Sequence, residues 1–177
     1  MRSSTLLFVL SLVTASAWAQ HQHGSPYKDL QGRDIKALSP EQVLDLREGR
    51  GMGASLPAEL NGVPGPLHVL ELQEQLKVTP EQQAALQRIT AEMKASAQRL
   101  GQQVIAAEGD LDQAFKAGVA DEGVIRTATG RIALLNGELR AAHLVAHLKA
   151  RRLLTDHQVA LYNEARGYTA ATNGHKH

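Results

Sequence analysis

His143 and His147 are the residues of this chain whose type and spacing point most directly to chemistry. They lie four residues apart in the segment AHLVAH, residues 142–147. On an α-helix, side chains at this spacing are neighbours, with Cβ atoms about 5–6 Å apart. Both rings can therefore ligate one ion. A simpler interpretation stays open beside this one, in which the two rings only pack or form hydrogen bonds on the flank of a helix, because short motifs are weak indicators when met alone.

A third histidine, His68, strengthens the metal interpretation. It opens a helix after the Pro-Gly-Pro bend at residues 64–66, and Glu71 follows three residues later on the same side. If that helix packs beside the one carrying His143 and His147, three imidazole nitrogens and one carboxylate oxygen come together. Such a set suits zinc, copper, nickel or cobalt, since the chain has no cysteine and only three methionines. The sequence thus predicts a divalent transition-metal site at His68, Glu71, His143 and His147.

Little else in the sequence indicates chemistry. Leu144 stands where zinc proteases of the HExxH type carry their general base, and neither a cysteine nucleophile, a GxSxG segment nor a P-loop is present. We therefore expect no enzyme. Four further histidines lie near the two ends of the chain, where only weak metal scavenging is expected because a mobile ligand loses entropy on binding: His21, His23, His175 and His177.

The N-terminal residues are typical of an export signal. Arg2 precedes an apolar run at residues 6–13, and Ala17 and Ala19 supply the small residues that signal peptidase accepts. A signal peptide over residues 1–19 and a periplasmic location are predicted. The run is too short for a membrane span, which needs roughly 20 apolar residues, so no stable insertion is expected. Without Arg2, basic and acidic residues are equal in number, which argues against a nucleic-acid partner.

The apolar pattern predicts an all-α fold, because leucine, isoleucine, valine and alanine recur at helical spacing. A mobile tail over residues 20–38 and a His-containing tail over residues 168–177 should flank a single helical domain over residues 39–167. Three segments predict capped helices, because each begins with serine or threonine, continues with proline or aspartate, and has a glutamine three residues after the first residue. The predicted helices begin at Ser39, about Leu67 (to Lys77), Thr79, about Asp121 (to Leu153) and Thr155, with a break at Gly109 followed by a short helix up to Gly118.

The predicted helix over residues 121–153 is apolar nearly all round. One face carries Ile132 and Leu139, and Leu134, Val145 and Leu148 lie on the opposite side. A helix of this kind must be covered on two sides, and a second copy of the chain is the natural cover. We therefore expect a four- to five-helix hairpin-like bundle with long antiparallel helices, assembled as a homodimer.

Two of the capped starts also carry a family resemblance. VTPEQ at residues 78–82 and LTDHQ at residues 154–158 resemble the paired LTxxQ motifs of the Spy/CpxP family of periplasmic stress proteins, to which the CnrX/ZraP-like heavy-metal sensors are related. The resemblance implies a four-helix hairpin-like protomer, an antiparallel dimer, and either metal sensing or chaperone activity without ATP. In the metal-sensing relatives, the ligands come from an early segment and from an i,i+4 pair on a later helix.

Three hypotheses about function follow. The leading one is a periplasmic metal-binding protein in heavy-metal sensing or resistance or in the envelope stress response, whose metal-bound state a membrane sensor reads. The alternative is an ATP-independent chaperone of the Spy/CpxP type that holds unfolding client proteins. The third is a purely structural dimer.

Overall fold

A computed structural model describes residues 25–168 of the chain. Within this range the protein is all-α and has no strand, as the sequence predicts. The predicted signal peptide, residues 20–24, residues 169–177 and the four terminal histidines lie outside the described residues. The helices that matter for the site are α1 (Pro40–Glu48), α2 (Leu56–Glu59), α3 (Pro66–Glu71), α4 (Pro80–Lys116), α5 (Glu122–Leu153) and α6 (Asp156–Ala165).

The chain divides into two compact units, with the boundary between Gln31 and Gly32. The described part of the first unit contains one short 3-10 helix, Lys28–Leu30, whose side chains are not buried. All six α-helices belong to the second unit.

Helices α4 and α5 form a long antiparallel pair against which the shorter helices pack. Lys149 near the end of α5 forms an ion pair of 3.2 Å with Glu92 near the start of α4. Helices α1 and α3 both pack on α4. The predicted hairpin of long antiparallel helices is thus confirmed.

Three helices begin at the capping boxes that the sequence predicts. The side chains of Ser39, Thr79 and Thr155 each accept a hydrogen bond from the backbone N–H three residues later, and the side-chain oxygen of the glutamine there accepts one from the backbone N–H of the cap. Each box satisfies backbone donors that a helix start otherwise leaves unpaired. Helix α1 ends at Gly49, whose φ of +68° is a left-handed conformation that favours glycine.

Two predicted boundaries are wrong. Helix α3 ends at Glu71 and does not reach Lys77; the chain turns instead, Lys77 adopts a φ of +51°, and the Lys77 carbonyl accepts a hydrogen bond from the side chain of Gln158. The break expected at Gly109 does not occur, because α4 continues to Lys116. A glycine inside a helix costs only about 1 kcal/mol, which the packing of a long helix outweighs.

The buried apolar residues form two clusters along the α4–α5 pair. One lies at the end where α3 and α6 meet the pair and consists of Val69, Leu76, Leu86, Ala150, Leu154 and Tyr162. The other lies where α1 crosses α4 and consists of Leu46, Ala97, Leu100, Val104 and Leu139. Along α5, His143 and His147 stand between Leu139 of the second cluster and Ala150 of the first.

A close contact between helices brings α1 onto α4. A Cβ atom built on Gly101 would lie 2.1 Å from the carbonyl oxygen of Leu46, so only glycine permits this approach. The contact holds the C-terminal end of α1 against α4, and the segment that follows α1 is thereby led toward the histidines of α5.

One side of α5 is not covered by any other part of the described chain. Leu134 is 65% exposed, and Val145 and Leu148 are about half exposed. These are the residues from which a second chain was predicted as cover, and the homodimer stays a prediction. No helix within residues 25–168 is both long and apolar enough to cross a membrane.

Candidate metal site

His68, His143 and His147 line one cavity of about 430 Å³. His68 comes from α3, and the other two come from adjacent turns of α5. The rest of the wall includes Met93 and Lys94 of α4. The tertiary structure therefore brings together the three histidines that the sequence singled out.

His143 is a buried imidazole with an unpaired nitrogen. Its side chain is 5% exposed, and Nε2 has no hydrogen-bond partner among the described residues. Burial, and after it the nearby ring of His147, lowers the pKa of His143 below its usual value. A neutral imidazole with a free lone pair is the form that binds a metal ion.

His147 is also 5% exposed, but one of its nitrogens is paired. Nδ1 lies 2.8 Å from the carbonyl oxygen of Val63. Because a carbonyl can only accept, Nδ1 must carry a proton. In the neutral ring the lone pair is therefore on Nε2.

The segment from Gly49 to Gly65, here called the strap, passes over both of these rings and contains α2. A Cβ atom on Gly51 would lie 3.6 Å from Nδ1 of His143, and one on Gly65 would lie 2.8 Å from Cε1 of His147. The backbone therefore packs directly on the imidazoles. Gly65 approaches so closely that no larger residue fits without movement.

Glu59, at the end of α2, is a buried carboxylate that the sequence pattern did not predict. It is 5% exposed. Oε1 accepts a hydrogen bond of 2.5 Å from the Tyr162 hydroxyl and lies 3.4 Å from Nε of Arg166 and 3.5 Å from Nδ1 of His68. Oε2 lies 3.8 Å from Nδ1 of His147 and has no hydrogen-bond partner within residues 25–168.

Glu71, the predicted carboxylate ligand, is exposed and does not line the cavity. Glu59 lies next to His68 instead, although it is nine residues away in sequence. The only sequence signal for Glu59 is that it is the single acidic residue between Glu48 and Glu71, in an otherwise apolar and glycine-rich segment. No sequence feature predicts a site role for Tyr162, since an aromatic residue at helical spacing is typical of the hydrophobic core.

The donor types at the cavity fit a divalent transition metal, because three imidazoles face one space and a buried Nε2 lacks a partner. Their spacing is not that of a formed ligand set. Over residues 25–168, no group of three or more histidine, aspartate or glutamate side chains stands close enough to hold an ion as it is. Binding would therefore require the side chains to rotate toward each other. The predicted metal site stays a prediction.

The two motifs of the sequence analysis meet at one end of the α4–α5 pair, in a cluster here called the glutamine junction: Gln82 and Gln158 with their capping threonines. The side-chain amides of Gln82 and Gln158 donate to each other over 2.9 Å in both directions. Gln82 also donates to the carbonyl of Leu153, and Gln158 to the carbonyls of Leu76 and Lys77. Each capping glutamine thus joins its own helix start to the other.

These features define an all-α protein built on an antiparallel helix pair whose two Thr-Gln caps interlock. The model of the LTXXQ motif family matches residues 67–166, more than half of the chain. The chain belongs to this family, of the Spy/CpxP type. No curated protein and no solved structure matches the chain at a significant level.

Family membership narrows the class of function. It suggests a protein related to stress response or metal resistance, and the family is known for stress and sensor proteins that are not enzymes. The match begins at Leu67 and so covers α3 to α6. It includes all three histidines of the cavity but neither α1 nor the strap with Glu59.

Proposed function

We propose that this protein binds a divalent transition-metal ion at His68, His143 and His147 and acts in heavy-metal sensing or resistance or in the envelope stress response. Zinc, copper, nickel and cobalt are the ions whose ligand preference the three imidazoles match. The observation that carries the proposal is the single cavity lined by histidines from two separate helices. Nε2 of His143, which has no hydrogen-bond partner in the part of the chain that the structure describes, supports it, because a buried polar atom without a partner is costly in a purely structural role.

The same contacts indicate how binding would change the molecule. An ion held by His68 and the α5 pair would tie α3 to α5, which otherwise make only limited contact. The strap packs on the imidazoles of His143 and His147. Rotation of these rings toward an ion would therefore also change the contacts between the strap and α5. A membrane sensor protein that contacts the strap could then distinguish the metal-bound from the metal-free state.

Calorimetric titration with zinc, copper, nickel and cobalt tests this proposal. Replacing His68, His143 or His147 with alanine should weaken binding at least about tenfold. His157→Ala is the matched control, because His157 is exposed at the start of α6 and away from the cavity wall. The four terminal histidines are common to all variants, so their binding cancels. Equal affinity of the wild type and the three cavity variants would rule out this site.

Export to the periplasm is part of the proposal. It is supported by the charge, apolar run and small residues of the first 19 positions. Amino-terminal sequencing of the protein recovered from a periplasmic fraction should find Gln20 as the first residue. Recovery of the uncleaved chain from the cytoplasm would contradict this part.

A second candidate function is chaperone activity without ATP. A groove of about 300 Å³ runs between α4 and α5 and is lined in part by Ile89, Met93 and Val145. Exposed apolar side chains on α5 extend this surface, and such surfaces bind unfolded proteins. The test is suppression of aggregation of a denatured client without ATP or metal. Protection that Ile89→Lys abolishes would favour this function, because Ile89 lines the groove from α4, and no protection at several-fold excess would exclude it.

We also propose that the uncovered side of α5 is the interface of a homodimer. Three apolar side chains stand exposed there in the single chain, and covering them gains hydrophobic free energy. Sedimentation should give a dimer for the wild type and a monomer for Val145→Lys. Thr129→Lys, which adds the same charge at an exposed polar position on a different face of α5, should remain dimeric. A monomeric wild type would contradict the interface.

A further inference from the structure

We infer that Glu59 is a positioning residue of the histidine site and not a metal ligand. It holds His68 and His147 with the proton on Nδ1, so that Nε2 of each ring is the free donor. Tyr162 in turn holds Glu59. This inference rests on the proposed metal binding and adds the groups that orient the ligands.

The first step is the orientation of His147. Its Nδ1 carries a proton because the Val63 carbonyl, 2.8 Å away, can only accept. The Nε2 edge of the ring is on the side of Gly65, where a Cβ atom would lie 2.9 Å from Nε2. Gly65 and His147 both line the cavity, and because Gly65 has no side chain, only backbone of the strap lies beside that edge.

The second step is the position of the Glu59 carboxylate. Its two oxygens lie near the Nδ1 atoms of two different rings, 3.5 Å from His68 and 3.8 Å from His147. At these distances the effect is mainly electrostatic. A negative charge favours an N–H directed toward it and disfavours a lone pair, so the carboxylate favours the Nδ1-protonated form of both rings. At His68 the Tyr162 oxygen, 3.5 Å from Nδ1, favours the same form, because its own proton is donated to Glu59.

The third step is what holds Glu59 in place. The Tyr162 hydroxyl donates to Oε1, and Arg166 Nε lies 3.4 Å from the same oxygen. Burial, together with the hydrogen bond to Glu59, raises the pKa of Tyr162 well above its usual value. Tyr162 therefore remains a donor at physiological pH. Its side chain is fully buried in the cluster at the end of the helix pair, which fixes the position of the hydroxyl.

The geometry argues against direct ligation by Glu59. It lies on the Nδ1 side of both rings, whereas the free lone pairs are on Nε2, and the two ring nitrogens point in diverging directions. In metal sites, a carboxylate or carbonyl that accepts from the second ring nitrogen orients the histidine, and its loss commonly reduces affinity about 10–100-fold. The Val63 carbonyl and the Glu59 carboxylate both lie beside Nδ1 of His147 in this way.

The first experiment needs no metal. Nitrogen NMR of the imidazoles in the apo protein should show His68 and His147 protonated on Nδ1. In Glu59→Gln, His68 should shift toward a mixture of the two tautomers, while His147 should keep its form because Val63 still accepts from it. Protonation of His68 on Nε2 in the wild type, or an unchanged His68 tautomer in the variant, would overturn the inference.

The second experiment measures zinc affinity by calorimetry. Glu59→Gln should weaken binding about 10–100-fold, and Tyr162→Phe should weaken it less, because the carboxylate remains but is held more loosely. Tyr168→Phe is the matched control: it removes a phenol hydroxyl from the same end of the chain, one that contacts Arg166 at 3.5 Å but not Glu59. If Tyr162→Phe fails to fold, Arg166→Gln removes the other contact to Oε1 of Glu59 from an exposed position and should weaken zinc binding several-fold.

The outcomes separate this inference from the proposed function. At saturating cobalt, Glu59→Gln should give the visible spectrum of the wild type, since a positioning residue changes affinity and not the ligand set. A changed spectrum would make Glu59 a ligand and overturn the inference while leaving metal binding intact. Equal zinc affinity of Glu59→Gln and wild type would also overturn the inference while leaving metal binding intact. A wild type that binds no metal would overturn both.

Discussion

The glutamine junction and the histidine cavity both bury polar side chains beside the same helix pair, yet they differ in how those groups are satisfied. At the junction, Gln82 and Gln158 exchange two hydrogen bonds and also donate to backbone carbonyls of the other helix start. At the cavity Nε2 of His143, and beside His147 Oε2 of Glu59, are buried and have no hydrogen-bond partner within residues 25–168.

This difference separates a structural role from a functional one. A buried polar group with all its partners stabilises and specifies the fold, whereas one without a partner destabilises it by roughly 1–3 kcal/mol. The family motif thus belongs to the part of the molecule that holds the helices together. Among the unsatisfied atoms of the described residues, Nε2 of His143 lies where we propose that an ion binds, Oε2 of Glu59 lies on the Nδ1 side of His147, and Oδ1 of Asn163 lies beside Gly62 of the strap.

The largest effect on stability is expected at the junction. Gln158→Leu should lower the free energy of unfolding by about 3 kcal/mol, because it removes both hydrogen bonds to Gln82, takes the side-chain donor from the Leu76 carbonyl and opens the capping box at Thr155. Gln42→Leu is the control, since Gln42 closes a similar capping box on α1 with no cross-helix partner; it should cost about 1 kcal/mol. Urea denaturation measures both. Equal losses would mean that the interlock between the two motifs adds no stability.

A change of intermediate size is expected where the strap meets the cavity. Gly65→Ala should destabilise the protein by roughly 1–3 kcal/mol, because the new Cβ overlaps the ring of His147, and it should also weaken zinc binding. Gly137→Ala is the control: nothing lies within 4 Å of its Cβ position on α5, so the change should stabilise the helix by up to about 1 kcal/mol. Thermal melting and zinc titration report the two effects. Unchanged stability of Gly65→Ala would show that the strap is not held against the ring.

His143→Leu should have opposite effects on stability and on binding. Replacing a buried imidazole that has an unpaired nitrogen with an apolar side chain should leave the metal-free protein unchanged or up to about 1 kcal/mol more stable. Zinc binding should be lost. Denaturation with and without zinc separates the two. A strongly destabilised metal-free variant would indicate that His143 is structural, like the glutamines of the junction.

The smallest effect concerns pH. Burial lowers the pKa of His143 in the folded state below its ordinary value of 6.5, so the unfolded chain takes up this proton first. The contribution of neutral His143 to the free energy of unfolding is therefore complete above pH 6.5. It is lost as the pH falls from there toward the lower folded-state pKa. Metal-free wild type should lose stability over this range more steeply than His143→Leu. Parallel pH profiles would contradict the burial of a neutral His143.

The sequence predicted the candidate site only in part. His143 and His147 were predictable as neighbours because one helix fixes their spacing, and His68 because a bend and a helix start precede it. Glu59 and Tyr162 were not, since 103 positions separate the two residues that share a hydrogen bond. Glu71 was chosen for its helical spacing from His68, but α3 leaves that carboxylate exposed.

Local rules determined most of the secondary structure from sequence alone. Ser39, Thr79 and Thr155 cap their helices through contacts three residues away, and the all-α class follows from short-range periodicity. Tertiary structure decided what depends on contacts between distant residues: the persistence of α4 through Gly109, the early end of α3, and the strap that brings Glu59 to the histidines. The physical reason is that capping and periodicity act within one helical turn, whereas burial and partnership of a side chain depend on every segment packed around it.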